Sequence, residues 1–226
     1  HVGRLFHPHQ HQLTVMGIED RKQRHKEDLK ATILRAAKEL FLEKGFERTS
    51  MRNIAEKIEY SPATIYLHYK DKNEIFYALH LEGFKLLVNS FKTLSSVSDP
   101  FERLKAMGYT YINFAIENPD FYQLMFVMNE PMSVLDLDIA KSWDEGQDAF
   151  LFLQNTVMEC QAKGYFKGLE PNGFSFTIWC TVHGLATLRT SGHLEHVRQV
   201  KTNMADLDTV TNYTLQTYIS VLERMK

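Results

Sequence analysis

From Lys26 almost to the C-terminus, the apolar residues of this chain recur at intervals of three and four and never settle into strict alternation. That spacing puts them on one face of a helix, whereas a half-buried strand would need every second residue apolar. The fold it predicts is all-α. No hairpin signal, low-complexity linker or internal repeat of about 20–50 residues breaks the pattern. Ser61-Pro62, Asp99-Pro100 and Asn118-Pro119 punctuate it. Proline has no N–H to waste in a first helical turn, and the residue before it resists helical geometry.

Between these marks the periodicity predicts about nine helices. Ile33, Ala36, Ala37, Leu40 and Phe41 define a first helix over 28–44, closed by Lys44-Gly45. Thr49 or Ser50 caps a short second helix that buries Ile54, Ala55 and Ile58, and Ser61 caps a third over Pro62–His68. Asp71 with Glu74 starts a fourth in the manner of a capping box, and Ile75, Leu79, Leu86, Leu87 and Phe91 carry it to about Leu94. A fifth runs from Pro100 to Asn118, and a sixth from Pro119 to about Asn129. The stretch 131–137 reads as a loop. A seventh helix spans about 138–163, Pro171-Asn172-Gly173 reads as a turn, and the last two helices cover about 174–190 and 206–225.

With 44% apolar residues the 226-residue chain can bury a sizeable core, and a net charge of -2 excludes a polybasic nucleic-acid coat. The charge is unevenly spread. Residues 1–72 carry 14 Lys+Arg against 10 Asp+Glu, and residues 73–226 carry 12 against 18. A small polyanion-binding head on a larger acidic body would look like this, and so would ordinary surface variation. Residues 1–15, with His1, His7, His9 and His11, read as a non-native leader rather than a metal site, and no cofactor is expected. Cys160 and Cys180 lack the spacing of a zinc or redox pair, which suits a reducing cytoplasm. No apolar run reaches the ~18 residues of a membrane helix, so no membrane partner is expected.

Three short helices in about fifty residues, the second and third separated only by Glu59, Tyr60 and Ser61, form a helix-turn-helix. One helix of such a pair crosses the DNA backbone and aims the other into the major groove. The stretches Gly45-Phe46-Glu47-Arg48-Thr49-Ser50-Met51-Arg52-Asn53-Ile54-Ala55 and Ser61-Pro62-Ala63-Thr64-Ile65-Tyr66-Leu67-His68-Tyr69-Lys70-Asp71-Lys72 resemble the TetR family of bacterial transcriptional regulators. The resemblance implies a DNA-binding head over 16–72 and a ligand-binding and dimerisation domain over 73–226. It also implies that Thr49, Tyr66, His68 and Lys72 touch phosphates. Ser61, Pro62, Ala63 and Thr64 open the reading helix, where short side chains allow close approach to bases, and Arg52 reaches a guanine edge or a phosphate. The turn Ile58-Glu59-Tyr60 departs from the family, which places a glycine where Glu59 stands; a left-handed backbone there costs a non-glycine residue about 1 kcal/mol.

In the body, Trp179-Cys180-Thr181-Val182-His183-Gly184-Leu185 resembles the Trp-His-Gly helix of one subgroup of these regulators. Trp179 and His183, four residues apart, are a pocket wall or a buried pair in the core or dimer seam, and Gly184 permits close approach of another helix. By resemblance, Tyr111, Phe114, Met125 and Trp143 join Trp179 and His183 around an apolar or aromatic effector. Val182, Leu185, Leu207, Leu215, Tyr218 and Leu222 are the expected homodimer seam. The function expected is a cytoplasmic, effector-released repressor that binds a palindromic double-stranded operator as a dimer. A regulator governed by a protein partner and a helical small-molecule binder without a DNA role are the alternatives. No phosphate loop, nucleophile elbow, metal-ligand pair or paired carboxylates point to an enzyme.

Overall fold

The computed structural model describes the backbone of residues 8–128, 144–201 and 206–226, and the side chains of 20–128, 146–200 and 206–226. Ten α-helices and no strand occur among them: α1 (Pro8–Lys44), α2 (Met51–Lys57), α3 (Pro62–Tyr66), α4 (Lys72–Lys92), α5 (Pro100–Glu117), α6 (Pro119–Tyr122), α7 (Asp144–Ala162), α8 (Pro171–Thr190), α9 (His193–Lys201) and α10 (Leu207–Glu223). Internal contacts divide the chain into two units that meet within α4, between Ala78 and Leu79.

In the first unit, Ile33, Ala37, Leu40 and Phe41 of α1 are buried with Ile54 and Ala55 of α2 and Ile65 of α3. Phe41, Phe46 and Phe76 close a triangle of rings with centroids 5.1–5.5 Å apart. Offset and edge-on rings at this separation add about 0.5–1.5 kcal/mol per pair to their burial. Gly45 ends α1 at φ +82°, the left-handed stop that its position after Lys44 predicts.

The second unit packs α5 against α7 and α8, with α10 along the same core. Arg103, only 8% exposed, is held by Thr156 Oγ1, the Val97 carbonyl and Glu159. Between α8 and α10, Arg189 donates to Thr211 Oγ1 at 2.9 Å and Asp208 Oδ1 at 2.6 Å.

Four sequence expectations need correction. The first helix extends back to Pro8, far beyond residue 28. Pro171-Asn172-Gly173 is the first turn of α8, because the Glu170 carboxylate accepts the N–H groups of Asn172 and Gly173 and so acts as the N-cap. The sixth helix gives way after Tyr122 to a π-turn, Gln123–Val127. An additional helix, α9, follows the left-handed Gly192. The expected loop at 131–137 and the start of the seventh helix lie outside the described residues, as do the side chains of the leader histidines.

Candidate DNA-reading helix and effector cavity

Ser50, rather than Thr49, caps α2: its hydroxyl accepts the Asn53 N–H at 3.2 Å, and Asn53 Oδ1 accepts the Ser50 N–H at 3.0 Å. The turn that follows is left-handed at Glu59, with φ +60°, so the carboxylate-bearing residue adopts the glycine conformation. Ser61 then caps α3, accepting the Thr64 N–H at 3.2 Å. Of α3 only Ile65 is buried, and it pins the helix to the core. Ser61, Pro62, Ala63 and Tyr66 are exposed, Tyr66 at 55%, and Arg52 is exposed on α2. A five-residue helix anchored by one isoleucine, with Thr64 half-buried and Pro62, Ala63 and Tyr66 open to solvent, has the shape a groove requires.

Thr49 sits differently from its expected role. It is 2% exposed, and its hydroxyl donates to the carbonyls of Gly45 at 2.9 Å and Leu40 at 3.3 Å, closing the end of α1. A hydroxyl turned inward to orphan helix carbonyls is not offered to an external anion. Lys72 donates to the carbonyls of Phe46 at 3.0 Å and Glu47 at 3.5 Å, and lies 4.2 Å from the centroid of the Phe46 ring. It ties the start of α4 to the loop before α2. His68 is half-buried, with no hydrogen-bond partner for its buried Nδ1 among the described residues. Burial, and then the ammonium groups of Lys30 and Lys26, hold its pKa below the usual histidine value. A phosphate contact there would be a hydrogen bond of a neutral ring. Lys26 and Lys30, which flank this surface from α1, and Leu67, 81% exposed, escaped the sequence reading. Their only sequence signal is a pair of lysines four apart and an apolar residue off the core period.

Wholly within the second unit lies a cavity of about 750 Å³ walled by α4, α5, the π-turn, α7, α8 and α10. Tyr111, Met125, Trp179 and His183, four of the effector residues that the resemblance implies, line it. Phe114 is buried in the core and is not part of the wall: the α5 contribution to the lining ends at Tyr111, and Phe114 lies almost a turn beyond it. Trp143 lies outside the described residues. The expected dimer seam also turns inward: Val182, Leu215, Leu222 and Tyr218 line the cavity, Leu185 is in the core, and Leu207 is half-buried. Of the α10 stripe, Leu215 and Leu222 face their own subunit, while Val221 remains exposed.

One wall of the cavity is polar. Trp179 Nε1 donates to the Tyr111 hydroxyl at 3.3 Å, and the hydroxyls of Tyr111 and Tyr122 lie 2.9 and 3.0 Å from His183 Nδ1. Tyr122 also reaches the His183 carbonyl at 3.2 Å and Thr187 Oγ1 at 2.8 Å. Desolvation lowers the His183 pKa and raises those of both tyrosines, Tyr122 to about 12, so the three groups are uncharged at neutral pH. Across the cavity, His80 on α4 is 2% exposed with its ring centroid 4.9 Å from that of Phe84, and burial pulls its pKa down to about 4.

A stability prediction follows from His80. The folded protein keeps the imidazole neutral down to about pH 4, while the unfolded chain protonates it near 6.5. Between these values the unfolded state binds more protons, so stability is full above pH 6.5 and falls as the pH drops towards 4, by about 3 kcal/mol. Urea midpoints at pH 7.5 and 4.5 should therefore separate much more for the wild type than for His80→Gln. Equal losses in both would place the sensitivity in other groups.

Two family models match the chain: the bacterial regulatory proteins of the tetR family over residues 33–79, and the tetracyclin repressor-like C-terminal domain over residues 104–209. Among curated relatives, the transcriptional activator FasR of Mycolicibacterium smegmatis is 24% identical over 119 residues, 51% of this chain and 54% of its own length. The chain thus spans about half of that relative, and shorter shares of others. The transcriptional regulator SAS2464 of Staphylococcus aureus is 22% identical over 189 residues, 83% of this chain and 91% of its own. Among solved structures, AibR in complex with isovaleryl coenzyme A and operator DNA superposes with a TM-score of 0.64 at 18% identity, covering 85% of this chain and 97% of that one. No helix among the described residues is long and apolar enough to cross a membrane.

Proposed function

The chain belongs to the TetR family of bacterial regulatory proteins, and on that premise we propose that it is a ligand-responsive transcriptional regulator, not an enzyme. In this reading it binds a palindromic double-stranded operator as a homodimer in the cytoplasm and is released as a repressor by an apolar or aromatic effector. The observation that carries the DNA reading is the exposure of Ser61, Pro62, Ala63 and Tyr66 around the single buried anchor Ile65. Tyr66, Arg52 and His68 are the phosphate and base contacts on this surface, with Lys26 and Lys30 adding positive charge beside it. Lys72 positions the start of α4, and Thr49 closes α1. Fluorescence anisotropy with the DNA immediately upstream of the chain's own gene, across a salt series, tests the reading. Affinity should fall with salt because bound phosphates release their counterions, and binding no tighter than to random duplex at every salt would end it.

The effector reading is supported by the cavity, whose volume lies within the range of small-molecule sites. The π-turn supplies Met125 to its wall, and Met125 also meets α4 at Gly83, where an added Cβ would overlap its sulfur. A ligand that displaces Met125 thereby presses on the helix whose first residues belong to the DNA-reading head. The effect is a population shift between operator-competent and released forms.

For the dimer, support comes from the outer faces of α8 and α10. Thr177, Thr181 and Leu188 on α8, and Tyr213, Thr217 and Val221 on α10, are exposed at helical spacing. A Cβ at Gly184 would meet nothing within 4 Å, which leaves room for a second copy's helix to approach. Two such faces pair into a four-helix seam. Val221→Arg should halve the mass measured by light scattering without loss of fold. Leu215→Arg, at a residue 2% exposed, should instead unfold the chain by burying a charge at a cost of several kcal/mol. A dimeric Val221→Arg protein would move the seam elsewhere.

A further inference from the structure

The polar wall of the cavity contains more hydroxyl protons than the histidine can accept. His183 Nδ1 has one lone pair, yet two phenol groups stand at hydrogen-bond distance from it. Tyr122 has two other acceptors within reach, the His183 carbonyl and Thr187 Oγ1. Tyr111 takes the Trp179 N–H on its oxygen and has two acceptors for its own proton, His183 Nδ1 and the neighbouring Tyr122 hydroxyl. Should the Tyr111 proton turn towards the cavity, Tyr122 can swing onto Nδ1, and no buried acceptor is left bare. A rearrangement that conserves hydrogen bonds avoids the penalty that usually opposes polar recognition in a buried site.

The remainder of the wall limits what can bind. No Asp or Glu occurs among the described lining residues. The one ammonium, that of Lys105, is bound to Glu102 Oε1 at 2.5 Å and lies in the field of Glu223 and Asp99 as well. A buried cation would find no counter-charge among the described lining residues, and an anion at Lys105 would meet three carboxylates. The wall contributed by α4 runs from His80 to Phe91, which spans about 16 Å at the helical rise of ~1.5 Å per residue. Along its described lining the space is long and predominantly apolar, and its single charge is the carboxylate-bound ammonium of Lys105.

We propose that the effector is an uncharged, elongated, largely hydrocarbon molecule bearing a single hydrogen-bond acceptor, such as a long-chain or aryl-alkyl ketone or ester, and that the Tyr111 hydroxyl donates to that acceptor while Tyr122 replaces it on His183. This rests on the reading of the cavity as the effector site and names the chemistry of its ligand. Tyr111 is the specificity-determining donor, and Tyr122 is a positioning residue that acts through His183.

The test uses the whole chain and displacement of the neutral fluorescent probe N-phenyl-1-naphthylamine by four molecules of matched length: 2-decanone, decane, decanoate and decyltrimethylammonium. The ketone should displace the probe about tenfold more tightly than the alkane, the worth of one hydrogen bond, and about a hundredfold more tightly than either ion. Tyr111→Phe should erase the advantage of ketone over alkane, read as the ratio of the two affinities within the same protein. Tyr122→Phe should reduce that advantage to a few-fold, because the swap at His183 is lost. Decanoate or the ammonium binding as tightly as the ketone would overturn the charge selection, and an undiminished ketone preference in Tyr111→Phe would overturn the donor assignment. Failure of the probe itself to bind any of these proteins would instead refute the effector-site reading on which the proposal rests.

Discussion

Ala63→Glu should weaken operator binding by a hundredfold or more, about 3 kcal/mol, while leaving the melting temperature unchanged. Ala63 is exposed in the first turn of α3, one residue after Pro62 and two after the cap Ser61. A carboxylate in a first turn is favoured by the helix dipole, so the substitution does not harm α3 as a helix. It also needs no space within the core, since Ile65 is the buried residue of α3. The same carboxylate at the floor of a major groove would face two rails of phosphates and the acceptor-rich edges of purines. Stability and DNA affinity are thus driven apart, and anisotropy alongside thermal melting measures both. If the variant binds the upstream duplex as the wild type does, α3 does not enter the groove. Ala63→Ser, small and neutral, should bind within a few-fold of the wild type, which separates the effect of charge from that of size.

Much of this head was legible in the sequence because its signals are local. Ser61-Pro62 names the start of α3 irrespective of what surrounds it, and the departure at Glu59 from a family glycine appears directly as a positive φ. Thr49 was misread because a hydroxyl beside a helix start has two acceptable destinations, the next helix's N–H groups or the previous helix's carbonyls. Only the path of the chain from Leu40 through Gly45 decides between them. The body was less legible for a related reason. Periodicity states that one face of α10 is apolar but not whether that face meets its own subunit or another, so Leu215 and Leu222 were assigned outward and lie inward. The Trp179–His183 spacing places both on one wall and the resemblance adds Tyr111 to them, yet Tyr122, which completes the cluster from α6, lies 61 residues from His183 in sequence. No short-range pattern could have joined them. Helix α9 was missed because its apolar residues Leu194, Val197 and Val200 make too brief a stripe after Ser191-Gly192, and two of them remain exposed.

Met125→Ala should leave the cavity able to bind the fluorescent probe but remove most of the ligand's effect on DNA affinity. At Gly83, α4 comes close to the π-turn: a Cβ built there would overlap Met125 Sδ and come within 3.2 Å of Phe121 Cδ1. Met125 is 4% exposed and lines the cavity, so one flexible thioether touches both ligand space and α4. Truncation enlarges the cavity and cuts that link, and the difference in operator affinity with and without a saturating ligand should shrink about tenfold, in keeping with site-to-site energies of ~1–3 kcal/mol. Gly83→Ala probes the same contact from the other side. Its methyl drives the thioether into the cavity, so probe affinity should fall about tenfold, a cost of ~1–3 kcal/mol for overpacking. Combining the two substitutions should restore probe binding, because the methyl then occupies space the thioether has vacated, and such non-additivity is expected of residues in direct contact. Independent, additive effects would show that α4 and the π-turn do not communicate at this point, and the route from ligand to operator would have to run through another wall of the cavity.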